Sequence, residues 1–130
     1  MPTYTSDQNV KSGVPLGGLG AGKMEIMPNG GLDHFTFLNS LHRPVVSGDP
    51  SGRKGILGFH FGIFAATKKK KAARLLETGI LPGYSGVSSI AFDGKYPFAR
   101  LEYKDDGLPV ACELEAFSPL VPQDEKKSGL

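Results

Sequence analysis

Apolar residues recur at every second position through several stretches of the chain, the period of a strand with one buried face. Leu57 to Ala65, LGFHFGIFA, sets Leu57, Phe59, Phe61, Ile63 and Ala65 on one face. Gly58, His60, Gly62 and Phe64 fall on the other. Val87 to Asp93, VSSIAFD, pairs Ile90 with Phe92. Phe98 to Lys104, FARLEYK, separates Ala99, Leu101 and Tyr103 from Arg100, Glu102 and Lys104. Val110 to Phe117, VACELEAF, turns Val110, Cys112, Leu114 and Ala116 inward and Glu113 and Glu115 outward.

Turn signals separate these stretches. Asp93-Gly94 reads as a hairpin turn, lengthened by Lys95 to Pro97, and Asp105-Asp106-Gly107 joins the next pair. Pro28-Asn29-Gly30-Gly31 lies between KMEIM and LDHFTFLN and predicts a further hairpin. Helical signals are scarce. Lys68 to Thr78, KKKKAARLLET, holds good helix formers and ends at Gly79, so a short helix is expected near 68–78. Ser47 to Gly55 is a polar loop, and residues 118–130 bring no closing strand. The expected fold is all-β, an antiparallel β-sandwich. About six strands are encoded where a full sandwich needs about seven or more. Residues 1–130 therefore read as the N-terminal portion of a β-sandwich domain.

Composition supports this. The 18 glycines and 10 prolines favour turns and short strands over long helices, and 39% hydrophobic residues suffice for a folded core. The formal charge is +2, but four of the basic residues form one run, Lys68 to Lys71. Without that run the balance is slightly acidic, so no nucleic-acid footprint is expected. The single cysteine, Cys112, excludes a disulfide framework and the usual Cys/His zinc spacings. No apolar run is long enough for a membrane span, and no signal peptide is recognised. The expected compartment is the cytoplasm.

Candidate chemistry is thin. Gly17 to Lys23, GGLGAGK, has the spacing of a phosphate-binding loop. Met24 stands where that loop needs Ser or Thr for magnesium, MEIMPNGG cannot form a useful helix, and SGVPL with Pro15 makes a poor central strand. A glycine-rich turn is the simpler reading, and no nucleotide-binding residue is assigned. Glu113 and Glu115 share a strand face at a separation some glycosidases use, about 7 Å. Neighbours on one strand point the same way, however, and cannot flank a substrate. Asp33, His34 and His60 could in principle form an acid–base or metal cluster, but ordinary polar positions are the favoured reading. Lys68 to Lys71 reads as a solvated loop or helix start, and Cys112 as a small apolar residue. The lack of tryptophan weakens an aromatic sugar platform, leaving Tyr84, Tyr96, Tyr103 and the phenylalanines. No catalytic, metal or cofactor site is assigned, and substrate-binding residues are unknown.

Several segments carry a resemblance in order. They are SGVPLGGLGAG at Ser12 to Gly22, PNGGLDHFTFLN at Pro28 to Asn39, GFHFGIF at Gly58 to Phe64, ARLLET at Ala73 to Thr78, and Ser89 to Asp124. Together they resemble the opening of the bile-acid β-glucosidase / non-lysosomal glucosylceramidase family, glycoside hydrolase family 116. The resemblance implies a longer N-terminal β-sandwich followed by an (α/α)6 barrel that holds the nucleophile and acid/base of a retaining β-glucosidase. The barrel is absent from this sequence, so no family catalytic residue maps onto it. The expected role is an accessory segment, non-catalytic alone, whose partners are the remainder of the sandwich and the catalytic domain. The alternative is a free-standing binding or assembly module that self-associates through open sheet edges.

Overall fold

The structure is a computed structural model describing residues 3–8, 10–18, 20–38, 59–78, 81–119 and 121–128. The described residues contain no helix. Their strands are β1 (Tyr4–Thr5), β2 (Val14–Gly18), β3 (Gly22–Ile26), β4 (Leu32–Phe37) and β5 (Gly62–Ala66). They continue with β6 (Lys71–Leu75), β7 (Ser89–Lys95), β8 (Phe98–Lys104) and β9 (Cys112–Phe117). Three sheets form, ordered β1-β7-β8-β9, β2-β3-β4 and β5-β6, and every strand pairing within them is antiparallel.

The four-stranded sheet follows directly from alternation. Along β8 the burial pattern switches at every residue, with Ala99, Leu101 and Tyr103 inward. Across the ladder Phe92 faces Leu101, which faces Leu114. Ile90 and Phe92 of β7 join this inner face. Val14 and Ile26, paired across β2 and β3, belong to the same buried cluster, as do Leu76 and Val87. The core thus lies between layers, as in a sandwich. A fully buried leucine or isoleucine contributes about 2 kcal/mol, and Leu101, Ile90 and Ile26 are almost entirely closed off.

Four expectations need correction. The stretch expected as a helix at 68–78 contains β6, which pairs with β5 from Gly62↔Leu75 to Ala66↔Lys71. Lysine, alanine and leucine favour helix only weakly, and a ladder of tertiary hydrogen bonds outweighs that preference. Lys68 to Lys70 instead make the turn before it, closed by Thr67, whose Oγ1 accepts the Lys70 N–H at 3.0 Å. Asp93 and Gly94 lie inside β7, opposite Arg100 and Ala99, and the turn is the pair Tyr96-Pro97. Val110 precedes β9 and is exposed rather than inward. The expected six or so strands become nine among the described residues, with β1, β6 and β2 added; β2, as a strand with Pro15 should, lies at a sheet edge, where a missing N–H is tolerated.

The run through Phe59 and Phe61 is partly right. Ile63 and Ala65 face inward, but the strand begins at Gly62 and both phenylalanines stay exposed. Leu57, the loop at 47–55 and Gly79 lie outside the described residues. After β9 the described residues form turns and no strand. There the buried Ser128 hydroxyl donates to the Asp124 carbonyl at 2.7 Å and accepts the Val121 N–H at 2.9 Å.

Candidate functional site

The glycine segment at 17–23 forms the arms of the β2–β3 hairpin, with Gly17 opposite Lys23 and Gly18 opposite Gly22. No helix follows Lys23, which lies inside β3. Gly22 is needed for close backbone approach, since at φ 101° a Cβ there would lie 2.2 Å from the Thr36 carbonyl oxygen. Lys23 is engaged too: its ammonium pairs with Glu25, whose side chain is 7% exposed. Phosphate chemistry therefore has neither a helix start nor a free lysine here. Beside the hairpin lies a cleft of about 360 Å³, bordered by Leu16, Gly17, Lys23, Tyr96, Ser118 and Pro119. Gly17 N–H donates to Ser118 Oγ across it at 2.8 Å. Glycosidase chemistry needs two facing carboxylates, and among the described residues no aspartate or glutamate borders this cleft.

Glu113 and Glu115 stand together on the exposed face of β9. The Arg100 guanidinium forks onto Glu113, Nε to Oε1 at 2.7 Å and Nη2 to Oε2 at 2.6 Å. That hydrogen-bonded pair holds the Glu113 carboxyl below the usual carboxylate range. A general acid needs the opposite shift.

The expected cluster of Asp33, His34 and His60 divides. His60 Nδ1 lies 2.7 Å from Glu77 Oε1, just before β5. His34 lies on β4 with φ 54°, beside a bulge that sets two β4 residues against Met24 and breaks the alternation. Its Nδ1 is 3.5 Å from Glu25 Oε2, and the same carboxylate accepts the Gly13 N–H at 3.1 Å. The His34 N–H donates to Asp33 Oδ1 at 2.8 Å. Sequence reasoning missed Glu25, a buried carboxylate among Lys23, His34 and Gly13; its alternation with Ile26 gave no sign of burial on both faces. Among the described residues no three His, Cys, Asp or Glu side chains converge as metal ligands.

The aromatic candidates divide as well. Tyr103 is buried, whereas Tyr84 and Tyr96 are exposed. Phe98 and Phe117 pair on the outer face of β8–β9, with ring centroids 6.0 Å apart. Cys112 is an unpaired, half-buried thiol that packs on the core, and burial raises its pKa, the reverse of an activated nucleophile. No helix of the described residues is long and apolar enough to cross a membrane.

Comparison with known families finds one match covering residues 13–130, to the family described as beta-glucosidase 2, glycosyl-hydrolase family 116 N-term. No curated protein matches the chain.

Proposed function

The chain belongs to the glycosyl-hydrolase family 116 N-terminal family, and from that premise we propose that it is an accessory β-sandwich segment of a β-glucosidase, glucosylceramidase-like in type and non-catalytic by itself. The observation that carries this reading is the state of its best carboxylate pair. Glu113 is tied to Arg100, and Glu115 stands beside it on the same open face. Two carboxylates on one strand face cannot flank a glycosidic bond. The segment's contribution is then mechanical: it supplies part of a sandwich that supports a catalytic domain encoded elsewhere in the polypeptide.

Its partners in this reading are the remainder of the sandwich and the catalytic domain. The compartment is the cytoplasm, a reducing setting that suits the single free thiol of Cys112. The downstream DNA tests the reading. A reading frame that continues past Leu130 into a helical-barrel hydrolase supports it. A stop codon at that point in the genomic sequence, with the 130-residue chain produced as such, removes it.

A further inference from the structure

β9 is the last strand of its sheet, and among the described residues no strand pairs with its second edge. The register shows which backbone groups face that edge. Ser118 N–H donates to the Pro97 carbonyl at 3.0 Å, and the ladder steps on through Ala99↔Ala116, Leu101↔Leu114 and Tyr103↔Cys112. Hydrogen-bonded pairs alternate with non-bonded pairs in an antiparallel ladder. Cys112, Leu114 and Ala116 therefore use their N–H and C=O groups on β8. Those of Glu113, Glu115 and Phe117 point outward, a row that templates another strand.

The edge of β2 is guarded, and the contrast is informative. Pro15 has no N–H, and Gly17 N–H is taken by Ser118 Oγ. β9 carries neither device. Residues 39–58, which follow β4 and precede β5 in the chain, lie outside the described residues.

The side chains of β9 define what fits. On the outer face Arg100 stands opposite Glu115 in register but forks onto Glu113, so among the described residues Glu115 forms no ion pair. Phe117, next on that face, is 60% exposed. On the inner face Cys112, Leu114 and Ala116 pack on the core yet stay only half-buried. An antiparallel second copy fits poorly, because the central registers set Glu115 against Glu115 or Glu113 of the copy.

We propose that the β9 edge receives an antiparallel strand from the rest of the hydrolase polypeptide. That strand carries a cationic residue opposite Glu115, an apolar residue opposite Phe117 and apolar residues on its inner face. The assignment to the same polypeptide rests on the accessory-segment reading above. It is favoured by the half-exposed core side chains, which call for a permanent cover.

The probe is the acetylated, amidated peptide Ile-Val-Arg-Val-Thr, added to the ¹⁵N-labelled 130-residue chain. The expected result is amide shifts at Glu113, Glu115 and Phe117. Binding should weaken roughly fivefold when the peptide Arg becomes Glu, and Glu115→Lys in the chain should reverse that preference. N-methylation of the peptide's ladder-bonding amides should abolish binding. No shifts at millimolar peptide, shifts centred elsewhere, or indifference to N-methylation would overturn the proposal. A failed accessory reading shows instead in the downstream DNA and leaves peptide binding at β9 intact, so the two failures are distinguishable.

Discussion

Arg74 on β6 meets Asp105, just past the end of β8, with Nε 3.1 Å from Oδ2. The pair ties the two-stranded sheet to the four-stranded one. Asp105 also accepts the Gly107 N–H at 2.6 Å and the Ser88 hydroxyl at 3.4 Å, and its side chain is only 7% exposed. A two-stranded sheet is marginal alone, so such anchors count. Replacing Arg74 by Met leaves a buried carboxylate short of its cation and should cost about 2 kcal/mol, read by chemical denaturation.

The same contact predicts a pH dependence. Burial pushes the Asp105 carboxyl up, but the Arg74 hydrogen bond and charge, with Gly107 and Ser88, outweigh it and leave the pKa below its ordinary 3.8. A depressed folded-state value contributes stability that is complete above the ordinary value and lost as pH falls through the folded one. Denaturation curves of the wild type should therefore lose stability below about pH 4, and Arg74→Met should flatten that part of the profile.

The glycine hairpin gives a paired test. Gly22→Ala forces a left-handed φ and a Cβ into the Thr36 carbonyl, and should destabilise by at least about 2 kcal/mol. Gly83 also has a positive φ, 85°, but open space around its missing Cβ. Gly83→Ala should cost only the backbone strain, about 1 kcal/mol. Equal costs for the two variants would show that Gly22 is not held against β4 as described.

Tyr103 offers a stabilising change. Its hydroxyl is buried and has no hydrogen-bond partner among the described residues. Burial pushes the phenol well above its ordinary pKa, with smaller contributions from Cys112 and Glu77. Tyr103→Phe should remove an unsatisfied polar group and gain about 1 kcal/mol in thermal or chemical unfolding. A loss of that size would reveal a partner for the hydroxyl.

Legibility in the sequence tracked the strictness of alternation. Ile90 and Phe92, then Ala99, Leu101 and Tyr103, sit where the two-residue period puts them, because one face of each strand is buried and the other wet. β6 was hidden because KAARL carries helix-forming residues, and its pairing with β5 is not a local property. β2 was hidden by Pro15 and two glycines, which are tolerable only because the strand is an edge. β1 is two residues long, too short for any period to show. The Asp93-Gly94 signal misled because a turn dipeptide can be carried inside a ladder when the partner strand is long enough, as β8 is. Of the site candidates, spacing alone placed Glu113 and Glu115 on one face; that Arg100 would hold Glu113 required the cross-strand register.

The central claim is that this sandwich segment carries no hydrolytic chemistry of its own. Turnover of a nitrophenyl β-glucoside by the purified 130-residue chain tests it most directly. The account predicts release of nitrophenol no faster than buffer alone, unchanged by Glu113→Gln or Glu115→Gln. Clear turnover that either substitution abolishes would contradict it.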